Sequence, residues 1–291
     1  MPKRFHYGGQ AVLEGVMMRG PKQVKVAVRR PDGEIVTKSE PLSQIYTGRL
    51  RKVPFIRGFF ALIETMVLGI KSLMFSANVA VEAELDEKPK PVVIWIPVVF
   101  GMVFGVALFV VLPMVITHYG IDRLTDSSIV SNAADGVIRV LIFLAYVAAM
   151  SFLPDIRRVF AYHGAEHKTV NAYEAGAPLN VESVQRFSTA HTRCGTGFLL
   201  IVMVIAVIVF VFTGQPAIYW RILSRILLLP IIAAIGYELI HFAADRTENI
   251  VIKAIMRPSL ALQSLTTRQP DAQQVEVAIE ALQGVLEPEE K

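Results

Sequence analysis

An uncharged run between Val92 and Thr117 reads VVIWIPVVFGMVFGVALFVVLPMVIT. As an α-helix rising about 1.5 Å per residue, this run reaches across a hydrocarbon core about 30 Å thick. The chain of 291 residues is 53% hydrophobic, a larger share than a soluble domain of this length needs for its core. The sequence therefore predicts a membrane protein, with this run as its first transmembrane span.

Three further apolar runs extend the prediction to about four spans. They cover approximately residues 137–153, 195–213 and 222–242. Arg139 lies at the entry of the second span, and Arg225 and Glu238 lie near opposite ends of the fourth. The predicted fold class is mainly α, a polytopic helical bundle in a membrane.

The distribution of Lys and Arg sets the predicted orientation, because these residues collect in cytoplasmic loops. Residues 1–91 hold 15 of the 29 Lys and Arg residues, the loop at 154–194 holds 5, and the tail from residue 243 onward holds 5. The loops at 118–136 and 214–221 hold 1 each. We therefore expect both termini and the central loop in the cytoplasm. The polar, basic N-terminus lacks the apolar segment of a signal peptide.

Four regions follow from these features. Residues 1–54 form a small, basic cytoplasmic module with a glycine-rich loop at 8–21 and a β-hairpin, in which strands at 23–30 and 34–38 flank a Pro-Asp-Gly turn. Residues 55–91 comprise an interfacial helix and a charged linker at 82–90. The transmembrane bundle covers 92–243, with its central loop at 154–194, and residues 244–291 form a cytoplasmic tail with an amphipathic helix.

The segment at 55–75 admits two interpretations. Its charged residues, Arg57, Glu64 and Lys71, recur every seven positions and lie on one stripe of a helix. We expect an amphipathic helix lying on the membrane or on the spans. A fifth span is the alternative.

The central loop carries the motif His163-Gly-Ala-Glu166-His167 on a helix predicted at 154–174, with Gly176 just past its end. Two histidines four positions apart share one helix face, where they can bind one transition metal. A glutamate beside them can deprotonate a bound water. The motif alone is equally compatible with a polar helix face that contains two histidines.

Two more groups of metal-binding residue types arrive at the same membrane surface. His191 and Cys194, the only cysteine, precede the third span, and Glu238 and His241 end the fourth. Ionisable residues at the ends of spans are candidates for function, because burying them in lipid is costly. A metal site is the preferred hypothesis, and a hydrogen-bonded polar network that holds the spans together is the alternative.

The candidates outnumber the ligands of one tetrahedral site. They are His163, His167, His191, Cys194 and His241, with Glu238 as an alternative ligand or a partner of the ligands. We expect a divalent transition metal, zinc first and iron second, in an open site where Glu166 is the general base. Open alternatives are a closed structural site, a di-metal centre that uses the Glu238 and His241 pair, and Cys194 as a nucleophile paired with His191.

The N-terminal module adds two weaker candidates. Glu14 and Arg19 could complete a substrate site for an anionic group, although an internal salt bridge explains them equally well. The excess of basic residues could attract a protein or an anionic partner, besides the lipid bilayer itself. Most of this excess is the ordinary charge bias of cytoplasmic segments, and no interleaved aromatic residues indicate specific nucleic-acid recognition.

Four segments resemble the YqhQ family of multi-pass bacterial membrane proteins, which is catalogued as a domain of unknown function and described as a predicted metal-dependent enzyme. They are GGQAVLEGVMMRGP at 8–21, YHGAEHKTVNAYE at 162–174, HTRCGTGF at 191–198 and TTRQPDAQQVEVAIEAL at 266–282. The resemblance implies a bacterial inner-membrane location and a metal site at His163, Glu166, His167, His191 and Cys194. It implies no substrate.

The leading functional hypothesis is a membrane-embedded metal-dependent hydrolase whose site opens at the cytoplasmic face. The second is a non-catalytic, metal-stapled membrane scaffold that recruits a partner through its basic module. Metal transport ranks last, because the first three spans carry almost no polar residues at their centres.

Overall fold

The computed structural model describes residues 5–43, 48, 53–85, 91–214, 217–244 and 249–286. Within these ranges, a four-stranded antiparallel sheet near the start of the chain precedes a series of helices. The charged linker predicted at 82–90 is described only in part, since residues 86–90 lie outside these ranges.

The sheet is a meander of consecutive strands, β1 (Gly8–Val12), β2 (Gly15–Arg19), β3 (Gln23–Arg29) and β4 (Ile35–Pro41). The predicted hairpin is β3 and β4, paired from Gln23 opposite Pro41 to Arg29 opposite Ile35. Its turn places Gly33 at φ 93°, a conformation that favours glycine.

The segment expected to form a glycine-rich loop forms β1 and β2 instead, paired with Gly9 opposite Met18. Glycine is uncommon inside strands, except where another group approaches the backbone closely. A Cβ on Gly9 would overlap the Met17 carbonyl and contact Glu166 Cγ at 3.1 Å. Another group therefore approaches the Gly9 backbone closely, and this glycine lies in a strand rather than in the predicted loop.

The helices of the described part are, in chain order, α1 (Ile56–Leu85), α2 (Pro91–Val106), α3 (Leu112–Tyr119), α4 (Ser128–Met150), α5 (Pro154–Glu174), α6 (Val181–Gln185), α7 (Gly195–Val211), α8 (Ile218–Ala244), α9 (Ile250–Thr266) and α10 (Ala272–Leu286). A π-helical segment, Ala107–Val111, joins α2 to α3, and a short 3-10 helix, Ile121–Arg123, follows α3.

Among the residues described, four helical segments are long and apolar enough to cross a membrane: Ile56–Ala80, Trp95–Arg123, Ser128–Met150 and Tyr219–Ala243. The segments at 95–123 and 219–243 coincide with predicted spans. The predicted third span is a shorter apolar helix, Gly195–Val211. This mainly helical, apolar architecture agrees with the predicted class of protein.

The second predicted span begins earlier than expected, because α4 starts at Ser128 rather than near residue 137. The charged residues Asp135 and Arg139 lie inside this helix. Asp135 accepts hydrogen bonds from Arg139 Nη2 at 2.8 Å and from Arg225 Nη1 of α8 at 3.2 Å. Because the charges pair with one another between two helices, they do not end the apolar segment.

Helix α1 is longer than the amphipathic helix predicted at 55–75, and it has the length and hydropathy of a span. Its first half packs on α8, where Gly58 lies against Ala234 and Tyr237. Farther along the helix, Leu68 and Val79 lie in the core on one face of the sheet. Helix α1 thus joins the helical bundle to the sheet.

The opposite face of the sheet packs on α5 and α10. Val16, Met18 and Ala27 share a core with Tyr162 and Ala165 of α5. The apolar positions expected at helical spacing in the tail lie in this core; they are Val275, Ala278, Ile279 and Leu282, with Leu286 partly buried. The C-terminal helix therefore packs beside α5 on the same face of the sheet, and all three share one core.

We expect Leu282→Ala to lower the free energy of unfolding by about 3 kcal/mol, because it leaves a cavity in this shared core. Chemical unfolding of the detergent-purified chain measures the change. Leu124→Ala is the control, since Leu124 is 82% exposed and its truncation empties no cavity. Equal losses in the two variants would contradict the packing of α10 described here.

Candidate metal centre

Helix α5 presents His163 and His167 one turn apart, and their ring centroids lie 4.3 Å from each other. The helix runs from Pro154 to Glu174, as predicted, and Gly176 follows it at φ 70°. His167 is 1% exposed. The sheet and the segments after α6 and α9 cover this face of the helix, so His167 is buried and His163 is partly buried.

Cys194 directly precedes α7, and its side chain lies next to the two histidines. Its Sγ lies 3.3 Å from His163 Nε2. Among the described residues, one group of ligand-type side chains converges, and it consists of His163, His167 and Cys194, whose ligand atoms lie within 4.8 Å of one another. Ligand atoms on a tetrahedral zinc lie about 3.3 to 3.7 Å apart. The trio is therefore close to the spacing that a shared metal requires.

Backbone carbonyls orient both histidines. His163 Nδ1 lies 2.8 Å from the Thr266 carbonyl oxygen, and His167 Nδ1 lies 2.6 Å from the Thr189 carbonyl oxygen. A carbonyl oxygen only accepts, so each Nδ1 carries the proton and donates it. A ring that carries its proton on Nδ1 keeps Nε2 as the nitrogen that can bind a metal, the usual arrangement for histidine ligands.

Glu166 lies beside the trio and is 5% exposed. Its Oε1 accepts a hydrogen bond from the Gly9 backbone N–H at 2.9 Å, and its Oε2 lies 3.4 Å from His167 Nε2. When the only proton of the His167 ring is on Nδ1, its Nε2 is a hydrogen-bond acceptor, and it faces a second acceptor, Glu166 Oε2. Such an arrangement is stable when a cation or an added proton lies between the two atoms. The donor set therefore fits a bound metal ion.

His191 borders the trio without joining it. Its ring tilts against that of His167, with centroids 5.6 Å apart, but its Nε2 lies 3.6 Å from Glu174 Oε2. Gln263 of α9 fixes the His191 backbone through hydrogen bonds of 2.9 and 2.8 Å. Burial acts to raise the pKa of Glu174, but hydrogen bonds and charges from His191 and Arg193 outweigh it, so this pKa lies below its usual value.

His241 and Glu238 do not reach the trio. Glu238 accepts hydrogen bonds from Arg57 Nε at 2.7 Å, from Arg57 Nη2 at 2.5 Å and from the Phe55 N–H at 3.0 Å. His241 stacks on Tyr237, with ring centroids 6.2 Å apart. The two residues line a separate surface pocket with Arg57. Among the described residues, the converging group does not include His241 or Glu238, so the assignment of His241 as a ligand and of the pair to a di-metal centre stays a prediction that this group does not support.

The two N-terminal candidates differ in position. Glu14 accepts a hydrogen bond from Arg158 Nη2 at 2.6 Å and another from the Tyr162 hydroxyl at 3.3 Å. It therefore forms the internal salt bridge that was the alternative for this residue. Arg19 donates to Glu64 at 3.0 Å. Unlike Glu14, Arg19 lines the cavity of the candidate centre.

A cavity of about 310 Å³ opens beside the trio, between the sheet, α1, α5 and the segment that precedes α7. Its charged or metal-binding residues are His6, Arg19, Glu64, His163, Glu166, His167, His191, Arg193 and Cys194. Sequence reasoning missed Glu64 and Arg193 as cavity residues. Glu64 is 3% exposed. Its position on a regular charged stripe indicated a solvated helix face, and no neighbouring residue in the sequence indicated that it is buried.

The apolar helices and this cluster indicate a membrane protein with a histidine and cysteine site beside a small sheet. The chain belongs to the family of proteins of unknown function DUF1385, which matches residues 53–288. It is 33% identical over 300 residues to the uncharacterized protein YqhQ of Bacillus subtilis (strain 168), a match that covers 96% of this chain and 92% of that protein. No solved structure matches the chain. The family resemblance is confirmed, and these names carry no activity.

We expect Arg57→Gln and Glu238→Gln to be coupled in a double-mutant cycle, with about 1 to 2 kcal/mol of interaction free energy, because both side chains are about one-fifth exposed and their hydrogen bonds are bidentate. Chemical unfolding of the two single variants and the double variant measures this free energy. Additive losses of stability would contradict the pairing that keeps Glu238 away from the trio.

Proposed function

We propose that this protein is an integral membrane, metal-dependent hydrolase whose metal is bound by His163, His167 and Cys194. One observation carries the proposal: the ligand atoms of His163, His167 and Cys194 converge in a largely buried cluster, while the Thr189 and Thr266 carbonyls hold both imidazoles in the tautomer with the proton on Nδ1.

The donor set favours zinc, with iron as the second candidate. Two imidazole nitrogens and one thiolate suit a borderline-soft divalent ion. Three protein ligands leave a fourth position for water, and a zinc ion lowers the pKa of such a water to about 7. The fourth position would face the cavity, since all three side chains line it.

Glu166 is the proposed general base. The Gly9 N–H holds Oε1, so the carboxylate keeps one fixed orientation with Oε2 directed at the cluster. A base in this position takes a proton from an attacking water and later returns it to the leaving group. Gly9 acts on the base only through this hydrogen bond and is therefore a positioning residue.

The proposed location is the bacterial cytoplasmic membrane, with both termini and the cluster on the cytoplasmic side. The concentration of Lys and Arg before residue 92 and in the central loop supports this orientation. The sheet, α5 and α10 share one core, so the elements that this orientation assigns to the cytoplasm pack together as one unit.

The metal is tested first on the full chain in detergent. We expect about one equivalent of zinc or iron per chain by elemental analysis, and its loss in His167→Ala. His241→Ala is the matched control and is expected to keep the metal. After cobalt substitution, a thiolate charge-transfer absorption should appear in the wild type and disappear in Cys194→Ser. Wild-type protein without stoichiometric metal ends the proposal.

Catalysis is tested by Glu166→Gln. We expect full metal content but no complementation of cells that lack the protein, because the amide can accept the Gly9 hydrogen bond but cannot act as a base. Glu182→Gln on α6 is the control, since the Glu182 side chain is 82% exposed. Retained complementation by Glu166→Gln would instead favour the metal-stapled scaffold.

A further inference from the structure

The hydroxyl group of Thr196 lies beside the sulfur of the proposed ligand Cys194. Cys194 Sγ is 3.0 Å from Thr196 Oγ1 and 3.3 Å from His163 Nε2. Cys194 is also the N-cap residue of α7, yet in the described first turn of that helix no backbone N–H donates to its side chain. The Thr196 hydroxyl therefore supplies a contact to the sulfur that the backbone of the helix does not.

The direction of this hydrogen bond follows from the chemistry of the ligands. In a thiol either partner can be the donor. A thiolate that binds a metal carries no proton and can only accept. His163 Nε2 cannot donate to the sulfur, because the proton of that ring is on Nδ1, where the Thr266 carbonyl accepts it. When Cys194 is a ligand, the Thr196 hydroxyl therefore donates to Sγ.

Thr266, the last residue of α9, extends this arrangement to a second ligand. Its hydroxyl has two acceptors, the Thr196 hydroxyl oxygen at 3.4 Å and the Gln263 carbonyl oxygen at 3.5 Å. Its carbonyl accepts from His163 Nδ1 at 2.8 Å. Thr266 is 5% exposed, so little water competes for these hydrogen bonds. One residue of α9 thus acts on His163 directly and on Cys194 through Thr196.

We propose that Thr196 is a positioning residue of the metal centre, whose hydroxyl donates to Cys194 Sγ and holds the sulfur beside His163. This inference rests on the proposed function, because it takes Cys194 as a ligand. A single side-chain torsion places the sulfur of a cysteine, and the hydrogen bond stabilises the rotamer that faces His163. Donation also withdraws electron density from the sulfur, as hydrogen bonds to sulfur ligands do in other metal sites.

Cobalt spectroscopy of the full chain in detergent tests this role with Thr196→Val, which keeps the shape of the side chain and removes the donor. We expect the thiolate charge-transfer absorption to move to longer wavelength, because a sulfur without the hydrogen bond gives up electron density more readily. Cobalt affinity should fall about tenfold, the scale typical for the loss of a group that orients a ligand. Thr196→Ser keeps the hydroxyl and should retain the wild-type absorption and affinity.

Thr213→Val is the matched control. Thr213 follows the other end of α7, where its hydroxyl donates to the Phe210 carbonyl at 2.8 Å, so the substitution should leave both the absorption and the cobalt affinity unchanged. A threonine with a purely structural role would lower affinity or stability without moving the absorption. An unmoved absorption in cobalt-loaded Thr196→Val therefore overturns the proposal, as does a Thr196→Ser variant that behaves like Thr196→Val.

A second variant decides the case in which Thr196→Val does not fold. Thr266→Val keeps the backbone carbonyl that accepts from His163 and removes only the hydroxyl that donates to Thr196. We expect a smaller shift in the same direction, and an unmoved absorption overturns the proposal. Failure of the proposed function gives a different result. A wild type without thiolate absorption ends both proposals, whereas a wild-type absorption that these variants do not move leaves the metal centre and ends only the role of Thr196.

Discussion

Two hydrogen bonds from imidazole Nδ1 atoms to backbone carbonyls orient the whole candidate site. His163 donates to Thr266 at the end of α9, and His167 donates to Thr189 after α6. Asn171, on the same helix as the histidines, donates to the carbonyls of Ser188 and Ala190 and so holds the segment around Thr189. The cluster therefore depends on the packing of the central loop and α9 against α5. The sheet and α10 hold α5 in place through the core that they share with it.

Local features of the site could be predicted from the sequence. The bounds of α5 follow from Pro154 and Gly176, and the shared face of His163 and His167 follows from their spacing. Cys194 could be assigned because it precedes an apolar segment that the count of Lys and Arg residues predicts to begin on the same side of a membrane. His241 could not be excluded in this way, because the residue that engages its neighbour Glu238 is Arg57, 181 positions away in the sequence. Ion pairs between residues distant in sequence decide which ionisable side chains remain available to bind a metal. A local sequence pattern contains no information about such pairs.

The same limit explains the errors in the fold. Arg139 marked the entry of the predicted second span, but it lies inside helix α4, where it and Arg225 form ion pairs with Asp135. The glycines at 8–9 indicated a loop, since glycine weakens strands. In the structure, Gly9 lies in a strand because the Glu166 carboxylate approaches its backbone. In both places a partner distant in sequence reverses the local preference.

The N-terminal cations bear on the choice between a scaffold and an enzyme. Lys25 pairs with Glu280 at 2.9 Å and Arg29 pairs with Glu276 at 2.5 Å, so α10 already engages part of the basic surface that a partner would use. A scaffold stapled by metal needs a closed set of ligands and gains nothing from a buried carboxylate beside them. Burying Glu166 is costly unless a cation compensates its charge. Its fixed orientation at an open cavity is what a general base requires, which favours the enzyme.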